Sequence, residues 1–160
     1  MKGSLKTGLS FGLTSGIITT LGLMVGLHSG THSKLVVAGG IVTIAVADAF
    51  SDALGMHVSQ ESENQHSSRE IWEATLATFL AKFVFALTFL VPVLLFPIAT
   101  AILVGIGWGL FLLGLLSYSM AREQRVSPWL VITEHLVIAL VVIAITHYVG
   151  HWVHAAFNSA

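Results

Sequence analysis

Five apolar stretches follow one another along this chain with only short polar clusters between them, and each is long enough, at about 20 residues or more, to cross a bilayer as a helix. The first covers about residues 8–27 and ends at the polar cluster 28–34. The second, about 35–59, is apolar as far as Ala47 and then takes on Asp48, Asp52 and His57 before a short hydrophilic loop at 60–70. The third, about 71–96, carries a lone Lys82. The fourth, about 97–120, opens on Pro97; proline starts a helix readily but cannot continue one, so this join is a tight turn. The fifth runs from about 128 to 150 and leads into a histidine-bearing tail. The pattern predicts an all-α integral membrane protein, with one transmembrane domain over residues 1–160.

Composition agrees with the pattern. Hydrophobic residues make up 55% of the chain and charged ones 9%, against about a quarter charged in an ordinary soluble domain. With no cysteine there is no disulfide framework, no thiol nucleophile and no cysteine zinc or iron–sulfur site. A formal net charge of −1 gives no electrostatic footprint for nucleic acid. Lys2 and Lys6 give the first stretch a signal-like basic flank. Its apolar run is nevertheless longer than the roughly 7 to 15 residues of a signal peptide, and no small-residue cleavage site follows, so it is expected to stay as a span. Lys2, Lys6, Arg69, Arg122 and Arg125 fall on one side of the resulting topology and Lys34 on the other. The positive-inside rule then places the N-terminus in the cytoplasm and the C-terminus outside.

Glycine recurs at helical spacing: Gly8, Gly12 and Gly16, then Gly22 and Gly26, with Gly105 and Gly109 repeating the pattern. Such faces let helices approach closely in lipid, either within one subunit, at a dimer contact or along a narrow pathway. Five short helices make a thin bundle, and burying several acidic residues away from lipid is easier in a homodimer.

Ionisable groups inside a membrane cost about 2.5 to 3.5 kcal/mol each on insertion scales and mark function or careful pairing. Asp48, Asp52 and Met56 are four apart, which stacks two carboxylates and a thioether along one helical stripe. Two carboxylates one turn apart repel unless a cation or protons compensate them. The stripe therefore suits exchange of a divalent metal against protons, or else Asp48 bonds a neighbouring helix while Asp52 pairs with a base such as Lys82. The mixed hard and soft donors favour Fe2+ or Mn2+ over Mg2+ or Ca2+. His57 points away from Met56 and either ligates or lines a vestibule. Glu61, Glu63, Glu70 and Glu73 flank the 60–70 loop, where carboxylates attract cations or simply solvate the loop, and Glu73 also suits the N-terminal dipole of the third span. Lys82, too deep to snorkel, faces protein or a cavity and is a charge partner for Asp48 or Asp52. Glu134, beside His135, is a further candidate for proton or metal traffic. His147, His151 and His154 fall on one face near the outer end, a spacing that can bind metal.

The stretch TSGIITTLGL at 14–23 resembles the opening helix of the vacuolar iron transporter family, and SDALGMHVSQESE at 51–63 is similar to its second-helix motif, S-M-x-x-G-E-Y-x-S. ATLATF at 74–79 through LVPVLL at 90–95 resembles the third helix, and TEHL at 133–136 through ITHYVG at 145–150 the last. The resemblance implies five transmembrane helices, a homodimer whose first and second helices line the pathway, and export of Fe2+ or Mn2+ from the cytoplasm against protons. It carries departures. Family members usually have an acidic residue at Ser15, methionine at Asp52, glutamate at Met56 and a small residue at Asp48, so carboxylate and thioether have changed places by one turn. They also commonly carry a glutamate-rich cytoplasmic metal-binding domain between the second and third helices, and here about ten polar residues join them.

The expected function is transport of divalent transition-metal cations, Fe2+ or Mn2+, out of the cytoplasm with proton antiport. The metal is substrate, with no permanently bound cofactor. The alternative is a membrane scaffold or sensor that binds metal without moving it. No H-E-x-x-H motif is present, and no enzyme is expected. The expected partners are metal ions, protons, the lipid bilayer and a second copy of the chain. The expected location is a prokaryotic cell membrane, or a vacuole-type membrane in a eukaryote.

Overall fold

The computed structural model describes residues 3–157. The described chain is helical with no strand: α1 Gly3–Thr31, α2 Lys34–Ser62, α3 Ser68–Thr88, α4 Leu90–Leu95, α5 Ile98–Gln124 and α6 Pro128–Phe157. Five of its helical stretches are long and apolar enough to cross a membrane, with α3 and α4 counting as one over Ser68–Leu95. Each helix runs a few residues beyond the expected apolar limits, because polar residues at the membrane boundary continue the helix and its caps lie further out. Ser33 caps α2, and Ser67 forms a reciprocal capping box with Glu70 at the start of α3, satisfying amide groups that the first helical turn leaves unpaired. Arg125, at φ 57°, ends α5 in a left-handed cap.

The third span differs from the expected single helix. It is interrupted at Phe89, between α3 and α4. Pro92 has no amide hydrogen to return to the Thr88 carbonyl, and its ring crowds that carbonyl. The Thr88 hydroxyl turns back to donate to the Phe85 carbonyl at 2.6 Å and accepts from Trp108 Nε1 of α5 at 3.0 Å. At the next join Pro97 occupies the position preceding α5, as the tight-turn reading expected.

The helix α1 is the axis of the bundle, in contact with α2, α3, α5 and α6. Its glycines divide between two partners. A Cβ on Gly8 or Gly12 would fall 2.3 or 2.5 Å from a carbonyl oxygen of α3, and one on Gly22 would meet Val142 of α6 at 2.9 Å. Across that second contact, a Cβ on Gly150 would lie 2.3 Å from the Gly26 carbonyl oxygen. Gly105 and Gly109 of α5 leave room for Met24 and Leu21 of α1. All these glycines thus serve packing within one chain. The apolar core gathers Ile17, Leu21 and Met24 with Val37, Ile41, Phe89 and Leu113. Large apolar side chains such as Leu103 (72% exposed) and Phe50 (63%) cover the outside of the bundle, as a lipid-facing surface requires.

One end holds the α1 N-terminus, the α2–α3 loop and the α5–α6 turn, and with them Lys6, Arg69, Arg122 and Arg125. The opposite end holds Lys34. Lys2 of the orientation argument lies outside the described residues. Close packing makes a direct prediction. Gly12→Val and Gly150→Val each lower the melting temperature measured in detergent, by the equivalent of about 1 to 3 kcal/mol of overpacking or more. Gly107→Ala and Gly114→Ala, whose added Cβ meets nothing within 4 Å, leave it nearly unchanged.

Candidate cation site

Half-way along the bundle, three helices bring one ammonium against two carboxylates. Lys82 of α3 is 1% exposed. Its Nζ lies 2.5 Å from Asp48 Oδ2, forms an ion pair with Asp52 Oδ2, and donates to Ser15 Oγ of α1 at 2.8 Å. The Ser15 hydroxyl donates in turn to Asp52 Oδ2 at 2.6 Å. The four-residue spacing of Asp48 and Asp52 sets both carboxylates on the face of α2 that meets Lys82. Gly16 supplies the space for the lysine stem, since a Cβ there would stand 3.2 Å from both Cα and Cγ of Lys82.

The lysine is enclosed while its partners are not. The side chains of Asp48 and Asp52 are 25% and 19% exposed. Asp48 also borders a groove of about 660 Å³ between α1 and α2, together with Thr43, Ala47 and Ser51. Asp48 is therefore reachable from a groove that α3 does not line, and the ammonium approaches both carboxylates from the protein side. Formally one positive charge faces two negative ones, so the cluster as it stands retains one negative charge for a further cation or proton to balance.

The remaining candidates are dispersed. Met56 follows on α2 and is buried. His57 turns to α3, its Nδ1 3.0 Å from Thr75 Oγ1 and its ring against Trp72. Glu61 is exposed, Glu63 pairs with His66 at 3.2 Å and Glu73 with Arg69 at 2.8 Å. These acids lie at the end of the bundle near the α2–α3 loop, away from the aspartates. Glu134 is exposed on α6, while His135 beside it bonds Ser117 of α5 through Nδ1 at 2.7 Å. At the other end the expected histidine trio divides. His147 and His151 line a cleft, while His154 Nδ1 bonds the Gly30 carbonyl at 2.8 Å. The cleft also contains His28 of α1 and His32 just past its end, which sequence reasoning did not assign because they lie more than a hundred positions from the α6 histidines. Among the described residues, no three His, Asp or Glu side chains are gathered as a ready cage for a metal ion.

Residues 9–73 match the model of the VIT family. Over that stretch the chain is similar to VIT family proteins. The stretch covers α1 from its second turn, all of α2 and the opening of α3. It therefore contains Ser15, Asp48, Asp52 and Met56, but neither Lys82 nor Glu134. Five helices long and apolar enough to cross a membrane, together with this partial likeness, suggest a membrane protein. No curated protein shows a match to the chain.

Removing one partner from a buried ion pair leaves the other uncompensated, typically at about 3 to 5 kcal/mol; the partial exposure of the aspartates places this site at or below the lower figure. Lys82→Met is expected to lower the detergent melting temperature, and adding Asp48→Asn with Asp52→Asn to restore most of it. A triple variant no more stable than Lys82→Met would show that the charges are not coupled.

Proposed function

We propose that this protein carries divalent transition-metal cations, Fe2+ or Mn2+, out of the cytoplasm in exchange for protons, working as a homodimer in a prokaryotic cell membrane. The observation that supports this most is the pair Asp48 and Asp52: two carboxylates on one helical face, half-way through the bundle, held by a lysine from behind, with Asp48 bordering an open groove. The metal is cargo. Without it, Lys82 and Ser15 compensate the carboxylates, which one turn apart would otherwise repel. An arriving divalent cation contends with the ammonium for the same oxygens, and two charges on the ion outweigh one on the lysine. Met56, on the same stripe of α2, offers a soft donor that suits Fe2+ or Mn2+ better than Mg2+. Carboxylates that have released the metal can take up protons from the far side, which couples the two fluxes.

Four of the basic residues at the loop ends, Lys6, Arg69, Arg122 and Arg125, share the end that holds the α1 N-terminus. Under the positive-inside rule this end is cytoplasmic, and the glutamates of the α2–α3 loop then face the cytoplasmic cation pool. The groove bordered by Asp48 lies beside α1 and α2, so a second copy docked there would enclose the site. A different reading, a membrane scaffold or sensor that binds metal without moving it, has one observation in its favour: Lys82 already compensates the carboxylates that cargo would use.

Transport in liposomes separates the two. With a pH gradient imposed, the wild-type protein is expected to accumulate Mn2+ and Fe2+, Asp52→Asn to reduce uptake to background, and collapse of the gradient to slow the wild type. Metal binding in well-folded protein with no uptake under any gradient would select the scaffold.

A further inference from the structure

The histidine cleft at the end opposite the α2–α3 loop is separate from the aspartate site. His28 lies 13 positions beyond Ser15 on α1, about 20 Å at 1.5 Å per residue. The cleft has a volume of about 530 Å³, and its polar lining is Ser29 and the histidines His28, His32, His147 and His151 with Tyr148. Every Asp and Glu of the chain lies elsewhere: Asp48 and Asp52 at mid-bundle, the others towards the opposite end.

Three features point to a ligand for these rings. His147 and His151 stand one turn apart on α6 with ring centroids 4.5 Å apart, the i, i+4 relation by which a helix presents two imidazoles to one metal. The His147 ring is oriented by a hydrogen bond between its Nδ1 and Oγ of Ser29 at 2.7 Å, and Ser29 is 3% exposed. That bond leaves Nε2 for a metal, the arrangement in which an outer partner fixes the tautomer and angle of a metal-ligating histidine. His28 Nδ1, across the cleft on α1, is buried without a hydrogen-bond partner among the described residues. A donor atom so placed is expected to have a function or a ligand.

We propose that this cleft is a second metal site, in which His147 and His151 chelate one borderline divalent cation through imidazole nitrogen and His28 adds a third donor by a change of rotamer. The rings are not gathered in advance, so the site binds weakly and releases readily, as suits an ion in passage or a concentration sensor at that face. Because no carboxylate takes part, the site accepts Co2+, Ni2+, Zn2+ or Fe2+ and discriminates against Mg2+ and Ca2+, which require oxygen donors.

The proposal does not require transport, and its test is binding alone. Titration calorimetry with Co2+ on the detergent-solubilised Lys82→Met/Asp48→Asn/Asp52→Asn variant, which removes the aspartate site without leaving the lysine unpaired, is expected to show one remaining site. Adding His151→Ala abolishes it. Adding Ser29→Ala instead weakens it by roughly tenfold, the effect of losing an orienting partner. Because changes near the α1–α6 contact can disturb folding, His154→Ala, which alters a neighbouring histidine outside the cleft, serves as the structural control and leaves Co2+ binding intact. The proposal is overturned if the triple variant binds no Co2+, if binding survives His151→Ala, or if equimolar Mg2+ displaces the Co2+. None of those results bears on whether the aspartate site transports metal.

Discussion

An ammonium and two carboxylates in the middle of a membrane bundle set the terms for the rest of this fold. A lone charge at that depth costs about 2.5 to 3.5 kcal/mol or more, and the cost is contained only if all partners arrive together. Lys82 comes from α3, Asp48 and Asp52 from α2, and Ser15 from α1. The cluster thereby fixes the relative height and rotation of three helices. A shift of one residue along α2 or α3 would turn a charged group away from its partners.

Close contact between α1 and α3 makes this meeting possible. Without side chains at Gly8, Gly12 and Gly16 the two backbones approach until the Thr78 hydroxyl donates to the Gly8 carbonyl at 3.2 Å and the Lys82 stem passes beside Gly16. The same helix turns its other glycines to α6, which brings His28, Ser29 and His32 beside His147 and His151. One glycine-rich helix therefore places both polar assemblies of the molecule, one at mid-depth and one at an end, on a scaffold that is otherwise apolar. A buried ion pair adds little net stability compared with apolar packing. Its position beside an open groove is the feature on which the proposed cation binding rests.

The spans were legible because bilayer thickness imposes a length on apolar runs that no tertiary contact overrides, and Pro97 marked its turn by covalent geometry. The break at Phe89 also had a signal in Pro92, but a proline four residues from the end of an apolar run does not announce whether the helix bends or stops. Asp48 and Asp52 were readable as one stripe, since helical period is a local property. Which of them Lys82 meets was not, because that depends on the relative height of α2 and α3, and the answer is both. Likewise the 147, 151, 154 spacing suggested a single histidine face, whereas His154 is drawn to the Gly30 carbonyl and the edge of His32, and the cleft beside His147 and His151 is completed by His28 and His32, more than a hundred positions away. Glu134, polar and within a span, is exposed on the outside of α6, a placement that sequence period could not separate from an inward one.

In the proposed transport, Lys82 holds the place that the cation takes. The most direct measurement is an anomalous-scattering map of crystals grown in lipid with Mn2+. An anomalous peak between Asp48 and Asp52, with the Lys82 ammonium withdrawn from both carboxylates, is the predicted result. A map in which Lys82 remains clamped to both aspartates, with Mn2+ bound only elsewhere on the protein, would contradict it.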